Sequence, residues 1–432
     1  MVLSRNPEWA DTNPRTLTNW AGQGESPGER ATSDTVETTP DTRPANRRRI
    51  EAVDVVRGLI IALMALDHVR DFFGDQSVQP TDLANTTVAL FFTRWITHIC
   101  APTFFLLTGV SAQLTLGRMS KPALSRFLLS RGAWLLFLEL LVMRFALQFN
   151  IDYQVTIITV LWGLGWAMMV LAGLIWLPTW FIAGFGVILI AGHNALDAID
   201  AGSLGPWGPL WVFLHEPGIL FRTSHSVVVV SYVLIPWVGV TALGYVLGQI
   251  YQYDSARRSR LLLGIGLSIT VGFLVLRWFN IYGDPVPWTT QRSELWTLIS
   301  FLNTNKYPPS LLFLAMTLGP TLLLLRAFEN GVPRLLRPAL ILGTVPMFFY
   351  VLHFYLIHLL ATAASYLRFG EVANTFRSPD LAHFPFTQPP GWGAPISVIY
   401  LLWIAVIVLM YPLCYWYARF KRRRKDWWLS YL

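Results

Sequence analysis

A cluster of ionisable side chains in one apolar stretch provides the first candidates for chemistry. The stretch 52–74 has the length of a helix that crosses a bilayer, yet its second half carries Asp67, His68 and Asp71. Histidine titrates near neutral pH and is the usual general base. We therefore predict that His68 removes a proton from a substrate, with Asp67 or Asp71 accepting one ring N–H to orient the imidazole. The alternative is a cluster that only anchors the helix end at the far headgroups.

The depth of the cluster favours a functional role. At about 1.5 Å per residue, the distance from Arg57 to His68 along a helix is roughly 16 Å. If Arg57 lies at one interface, His68 lies just beyond the midplane of a hydrocarbon core about 30 Å thick. Ionisable groups at this depth usually face a protein interior or a water-filled cavity.

Further polar residues at this depth are candidates for binding a substrate or stabilising charge: Arg94, His98, Arg277, Asn280, Tyr350 and His353. For His98, a helix-capping role is equally compatible with the sequence. His353 and His358 point roughly 140° apart on a helix, so at most one of them lines the cavity of His68. We favour His353, with buried polar packing as the alternative. Arg277 needs an ionic partner, which Asp67 or Asp71 would provide.

Basic residues near the start of the bundle are candidates for binding a phosphorylated donor. Arg57, Arg118 and Lys121 are the predicted cofactor-binding residues. The general excess of positive charge in cytoplasmic loops explains such residues without a ligand. A metal site formed by His68, Asp71 and His98 is a weaker alternative because their spacing matches no zinc motif, so we expect no metal.

The composition identifies the class of protein. Hydrophobic residues make up 54% of the 432 residues and charged residues only 13%, whereas a soluble chain carries about 25% charged residues. The chain is therefore predicted to be an integral membrane protein. Its formal charge of +8 is dispersed at the ends of apolar runs, so no nucleic-acid partner is expected. The two cysteines, Cys100 and Cys414, are interpreted as packing residues.

The apolar runs predict an all-α, polytopic bundle of about ten transmembrane helices. The runs are 52–74, 86–117 (with a break before Pro102), 123–147, 154–176, 178–196, 226–252, 258–281, 308–328, 338–367 and 395–418. Residues 86–99 are interpreted as a short helix that lies at the outer surface or dips inward, with Pro102 starting the crossing helix. Basic residues concentrate in alternate connections, which places both termini in the cytoplasm. Residues 1–47 are predicted to be a disordered cytoplasmic tail, 48–418 the transmembrane domain and 419–432 a basic and aromatic cytoplasmic tail.

Several segments resemble the transmembrane acyltransferase superfamily, in particular bacterial proteins similar to the catalytic domain of heparan-α-glucosaminide N-acetyltransferase. The similar segments are VDVVRG (53–58), LMALDHVRDFF (63–73), FFTRWITHICAPTFFLLTGVSA (91–112), NTNKYPPSLLFLAMTLGP (303–320) and GTVPMFFYVLHFYLIHLL (343–360). The resemblance implies an enzyme that transfers an acyl group, here an acetyl group, from cytoplasmic acetyl-CoA or another acyl-CoA to an acceptor on the far side, often a sugar. In the related acyltransferase-3 family, an essential histidine falls at the position of His68.

One departure from the family bears on the acceptor. The lysosomal member has its active histidine in a zone that reads NTTVALFF here, without a histidine. The glucosamine acceptor is therefore not carried over, while a small-molecule or glycan acceptor is expected. The alternatives are a permease or flippase that uses Asp67, His68 and Asp71 as a proton relay, and a non-catalytic envelope scaffold. The expected location is a bacterial inner membrane, and the oligomeric state, with a homodimer as one option, stays open.

Overall fold

The structure is a computed structural model that describes residues 50–380, 384–424 and 426–431. The predicted N-terminal tail therefore lies outside the described residues, as does His383 in the last long connection. The described chain is mainly helical, in agreement with the predicted fold class.

The helices follow the order of the predicted apolar runs. They are α1 (Glu51–Phe73), α2 (Val88–Thr97), α3 (Cys100–Leu116), α4 (Lys121–Phe137), α5 (Arg144–Gln148), α6 (Val160–Leu174), α7 (Thr179–Gly192), α8 (Gly208–Leu214), α9 (Leu234–Leu247), α10 (Ser255–Phe279), α11 (Glu294–Leu302), α12 (Leu311–Ala327), α13 (Arg337–Thr344), α14 (Pro346–Phe369) and α15 (Ile396–Arg423).

Two predicted spans are interrupted. The break expected before Pro102 in the run 86–117 falls at His98 and Ile99, between α2 and α3, whereas the break in the run 338–367 at Val345, just before Pro346, was not expected. In the run 123–147, a π-helical turn at Leu138–Met143 joins α4 to α5. Such local changes of helix geometry re-aim the side chains that follow them.

Six described helical segments are long and apolar enough to cross a membrane: Val88–Leu116, Thr179–Leu196, Leu234–Gln252, Ser255–Phe279, Pro346–Phe369 and Ile396–Arg423. Val160–Leu174 and Leu311–Ala327 are shorter apolar helices. The helical membrane fold is thus confirmed. The number of ten spans and the cytoplasmic location of the termini stay predictions.

A small mixed sheet was missed by the all-helical interpretation of the apolar runs. Its strands are β1 (Val155–Ile158), β2 (Gly218–Arg222) and β3 (Val227–Val230), in the order β1-β3-β2. β1 runs parallel to β3, and β2 is antiparallel to it. The sequences VTII and VVVV are rich in β-branched residues, which favour strands. Because β1 and β3 lead into α6 and α9, their apolar residues were counted as part of those helices.

Glycines permit two very close helix contacts in the core. A Cβ at Gly58 of α1 would lie 1.8 Å from the Ala339 carbonyl oxygen of α13, and one at Gly343 would lie 1.9 Å from the Asp54 carbonyl oxygen. Likewise, a Cβ at Gly109 of α3 would lie 2.1 Å from the Thr241 carbonyl oxygen of α9. The backbones therefore touch directly, as small residues allow in membrane bundles.

Candidate active site

A cavity of about 940 Å³ opens at the end of the bundle where α1 ends. We call it the distal cavity. The second half of α1 provides the ionisable groups predicted from the sequence, and β1, β3 and the loops around residues 75–87 and 303–307 complete the wall. Its charged and titratable lining residues are Asp67, His68, Arg70, Asp71, Asp75, Arg94, His98, Tyr232, Lys306, Tyr307 and Tyr350.

His68 is oriented by a second histidine. Its Nδ1 lies 2.7 Å from Nε2 of His353 on α14, and Nδ1 of His353 lies 3.0 Å from the Phe349 carbonyl oxygen. A carbonyl only accepts hydrogen bonds, so Nδ1 of His353 carries the proton, and in the neutral ring its Nε2 is the acceptor. His68 must then donate from Nδ1, which leaves the lone pair on its Nε2 available to accept a proton.

The predicted orientation of His68 by Asp67 or Asp71 is wrong, because both carboxylates bind arginines. Asp67 forms ion pairs with Arg94 of α2 and with Arg70, the latter at 3.0 Å, and Asp71 lies 2.5 Å from Arg70. Two guanidinium groups provide more donors, in a fixed geometry, than one imidazole can. The carboxylates and arginines thus form a buried network beside His68 that joins α1 to α2.

Aromatic rings enclose the histidine pair. The ring centroid of Phe354 is 4.2 Å from that of His68, and Tyr350 meets the His68 ring edge-on at 6.3 Å. His358, one turn further along α14, serves another purpose: its two ring nitrogens lie 2.9 and 2.7 Å from the carbonyl oxygens of Ala146 and Thr375. α14 therefore directs one histidine to His68 and uses the other for packing.

A second cavity, of about 320 Å³, lies towards the start of α1. We call it the proximal cavity. Three basic side chains line it, Arg57, Arg131 and Lys421, from α1, α4 and α15. Arg57 also bonds to Ser111 of α3 at 2.9 Å and to the Gly343 carbonyl oxygen at 3.3 Å, so its guanidinium is held where α1, α3 and α13 meet.

The walls of the two cavities share two residues. Tyr350 and Val160 line both the distal and the proximal cavity. Because Tyr350 also contacts the rings of His68 and His353, the histidine pair lies next to the boundary between the cavities. A molecule reaching this boundary from either end of the bundle would arrive beside the same imidazole.

Four of the predicted site residues lie elsewhere. Arg277 is buried and donates to the carbonyl oxygens of Val286, Phe301, Ser300 and Asn303, with Asp284 at 3.6 Å. Its predicted ion pair with Asp67 or Asp71 is therefore wrong, because these carbonyls and Asp284 occupy its donors. Asn280 bonds to both backbone groups of Trp288. Arg118 and Lys121 are exposed and are not among the described residues that line either cavity.

Lys306, Tyr307 and Tyr232 were not singled out as site residues, although they line the distal cavity. Lys306 is only 9% exposed, and its ammonium lies 5.2 Å from the ring centre of Tyr307. A lysine in a loop, two residues before a pair of prolines, carries no sequence signal of burial. Only the folding of this loop over the end of α1 places its charge near the histidine pair.

His98 lies at the break between α2 and α3 and is 2% exposed. Its backbone N–H caps α2 by bonding to the Trp95 carbonyl oxygen, while its Nδ1 is buried without a hydrogen-bond partner. Its ring packs against Phe313 and lines the distal cavity. An unpartnered buried nitrogen in a cavity wall is a potential contact for a bound molecule.

Comparison with known families agrees with the motifs. The family model for the catalytic domain of heparan-alpha-glucosaminide N-acetyltransferase matches residues 49–276, more than half of the chain. The chain belongs to this family. No curated protein matches it. The family consists of membrane acetyltransferases, which makes the protein an integral membrane protein of the transferase class.

The matched residues of the N-acetyltransferase family end within α10. They include the α1 cluster around His68, but Lys306, Tyr350 and His353 follow the end of the match. The distal cavity is therefore built from both the matched and the following part of the chain.

Proposed function

We propose that the protein transfers an acyl group, most simply acetyl, from acyl-CoA in the proximal cavity to an acceptor in the distal cavity, with His68 as the general base. The observation that carries this proposal is that Tyr350, beside the His68–His353 pair, forms part of the wall of both cavities. The family membership supports the reaction class. The membrane would be the plasma membrane of a bacterium, with the proximal cavity facing the cytoplasm.

The residues of the proximal cavity fit the donor. Arg131 and Lys421, together with Arg57, which also pairs with Asp54 at 3.1 Å, provide positive charge suited to the phosphates of CoA. The remaining lining residues are mostly apolar and suit the uncharged arm that carries the thioester. An arm extended along this cavity would bring the thioester carbonyl to Tyr350. Of the predicted donor-binding residues, the proposal thus keeps Arg57 and exchanges Arg118 and Lys121 for Arg131 and Lys421.

The proposed transfer uses His68 twice. Nε2 of His68 takes the proton from the acceptor hydroxyl or amine as its oxygen or nitrogen attacks the thioester carbonyl carbon. The carbon–sulfur bond then breaks, and the protonated His68 returns the proton to the departing thiolate. The products are the acylated acceptor and free CoA. Lys306 provides positive charge in the same cavity for the oxyanion that forms on the carbonyl oxygen.

The lining of the distal cavity supports a sugar as the acceptor. Side-chain amides are frequent at its wall, namely Gln76, Gln79, Asn85, Asn303 and Asn305. Amides both donate and accept hydrogen bonds, which matches the hydroxyl groups of a carbohydrate. The buried pairing of Asp67 and Asp71 with arginines keeps these charges fixed in the wall rather than free to move with a proton.

Turnover of the purified His68→Ala variant tests the proposal. The full chain in detergent is given acetyl-CoA and a set of sugar acceptors, and release of free thiol is measured. Because a positioned base contributes about 10²–10⁴ in rate, turnover should fall by that factor while acetyl-CoA binding stays unchanged.

The matched control is His358→Ala, which removes a histidine of α14 that bonds only to backbone carbonyls. It should lower thermal stability and leave the turnover of the folded fraction near the wild-type value. Equal turnover in wild type and His68→Ala would remove His68 from the reaction. Absence of acetyl-CoA binding, combined with proton-coupled movement of a solute in vesicles, would instead establish a permease.

A further inference from the structure

A second histidine cluster lies outside both cavities. It is formed by His193 and Asp197, at the end of α7 and in the 3₁₀ turn after it, and by His215, at the end of α8. One ligand atom from each of the three residues lies within 4.8 Å of the others. His193 is 1% exposed and His215 is 2% exposed, whereas the Asp197 side chain, at 21%, is open to solvent.

The hydrogen bonds within the cluster do not satisfy its acceptors. Nε2 of His215 lies 2.9 Å from the His193 carbonyl oxygen, 3.4 Å from Nδ1 of His193 and 3.4 Å from Oδ1 of Asp197. A ring nitrogen carries at most one proton, so Nε2 can donate to only one of these three atoms. Asp197 Oδ1 is in fact buried without a hydrogen-bond partner, and so is Nε2 of His193. Buried polar atoms rarely stay unsatisfied.

We infer that this cluster binds a divalent transition-metal ion, with zinc as the best match. Two imidazoles and one carboxylate are a typical zinc ligand set. In tetrahedral zinc sites with bonds of about 2.0–2.1 Å, ligand atoms lie about 3.3 Å apart. Two of the three separations, those of 3.4 Å that involve His215 Nε2, are close to this spacing, and the third, between His193 and Asp197, lies within 4.8 Å. In the metal-bound form the proton of His215 passes from Nε2 to Nδ1 and the hydrogen bond to the His193 carbonyl oxygen is given up, so that Nε2 of His215, Nδ1 of His193 and Oδ1 of Asp197 bind the ion. Water reaching the partly exposed Asp197 completes the coordination.

The site lies where the ends of α7 and α8 approach the start of α12. It joins the end of α7 to the end of α8, and the intervening Asn194 accepts a hydrogen bond from the backbone N–H of Leu311, at the start of α12. Asn194 also donates to Asp197 at 2.9 Å, which fixes the carboxylate. The metal therefore has a structural role: it stabilises the turn that supports the start of α12, just after the loop carrying Lys306.

Metal content and thermal stability test the site without any need for the enzymatic reaction. The full chain is purified in detergent from zinc-supplemented cells, dialysed against metal-free buffer and analysed by elemental mass spectrometry. One zinc per chain is expected in the wild type, and in the control His225→Gln, which changes an exposed histidine of the β2–β3 loop. His215→Gln and the near-isosteric Asp197→Asn should retain only traces.

A measurement on the unmodified chain separates metal loss from misfolding. Chelation should lower the melting temperature of the wild type by at least about 3 °C and leave that of Asp197→Asn unchanged, since only the metal-bound folded state gains stability from the ion. Reloading with Co²⁺ should give the visible absorption bands of a tetrahedral site. Trace zinc in the wild type, or no response to chelation and Co²⁺, would overturn the proposal.

Discussion

The partner of His68 determines what this residue can do. A carboxylate partner would add negative charge beside the ring, whereas His353 orients the ring while remaining neutral. The direction of both hydrogen bonds follows from one backbone atom, the carbonyl oxygen of Phe349, because it forces the proton onto Nδ1 of His353. The backbone of α14 therefore determines the tautomer of His68 indirectly, through His353. His353 is a positioning residue in the proposed reaction.

Replacing His353 should separate orientation from binding. In His353→Phe, the ring volume is kept while the acceptor for the Nδ1 proton of His68 is lost. We expect kcat to fall by at least about 10-fold, but by no more than the roughly 10²–10⁴ that the base itself contributes. The KM for acetyl-CoA should stay unchanged, because His353 is not among the described residues that line the proximal cavity. Steady-state kinetics measures both constants.

The conservative variant His353→Gln provides the control for this prediction. Its side-chain carbonyl can still accept a hydrogen bond from His68, so it should recover part of the lost kcat. If His353→Phe and His353→Gln both retained the wild-type kcat, the orienting role of His353 would be wrong.

At the scale of the elements, α1 links the two cavities because it packs directly against α13. Gly58 allows the backbones to touch, and the neighbouring Arg57 donates to the Gly343 carbonyl oxygen at the same contact. Eleven residues later the same helix carries His68 into the distal cavity. The pair Arg57–Gly58 therefore fixes the helix at one end so that the other end has a defined position.

Adding a methyl group at this contact should destabilise the bundle. In Gly58→Ala, the new Cβ would lie 1.8 Å from a backbone oxygen of α13, so the two helices must separate. Overpacking of this kind costs about 1–3 kcal/mol and occasionally more. We expect a lower melting temperature in detergent, together with weaker acetyl-CoA binding, because Arg57 shifts with the helix.

Gly264→Ala of α10 is the matched control. No neighbouring atom lies within 4 Å of the added Cβ, and alanine has a higher helix propensity than glycine. Its melting temperature should be equal to or higher than that of the wild type. A Gly58→Ala protein as stable as this control would contradict the close contact between α1 and α13.

For the whole molecule, the important arrangement is that of two cavities opening towards opposite ends of one bundle. Basic residues surround the proximal cavity, while amides and fixed ion pairs line the distal one. This polarity agrees with the excess of positive charge expected on the cytoplasmic side. A donor from the cytoplasm and an acceptor from outside would therefore meet without either crossing the membrane completely.

Cysteine labelling in intact cells tests this sidedness. Cys100 and Cys414 are buried, so single introduced cysteines can be studied against the natural background. We expect a membrane-impermeant maleimide to label Asn85→Cys, at the distal cavity, and to leave Thr115→Cys, at the proximal cavity, unlabelled. Permeabilised cells should show labelling of both, and acetyl-CoA should protect only Thr115→Cys. Labelling of both variants in intact cells would refute the arrangement.

The sequence by itself determined the membrane class, the helical fold and the α1 cluster. Bilayers require long apolar helices, so composition and run length report them directly. Charges inside such a run are costly, which is why Asp67, His68 and Asp71 stand out without any structure. The family resemblance, which rests on local motifs, is confirmed for the same reason: the motifs are contiguous in the chain.

Only the tertiary structure decided which groups meet. His353 lies 285 residues from His68, and their hydrogen bond depends on the packing of α14 against α1. The same holds for the carbonyl oxygens that surround Arg277 and for the loop that brings Lys306 into the distal cavity. Periodicity predicts the face of a helix on which a side chain lies. It does not predict the hydrogen-bond or ion-pair partner of that side chain, because the partner depends on long-range packing and on competition among donors.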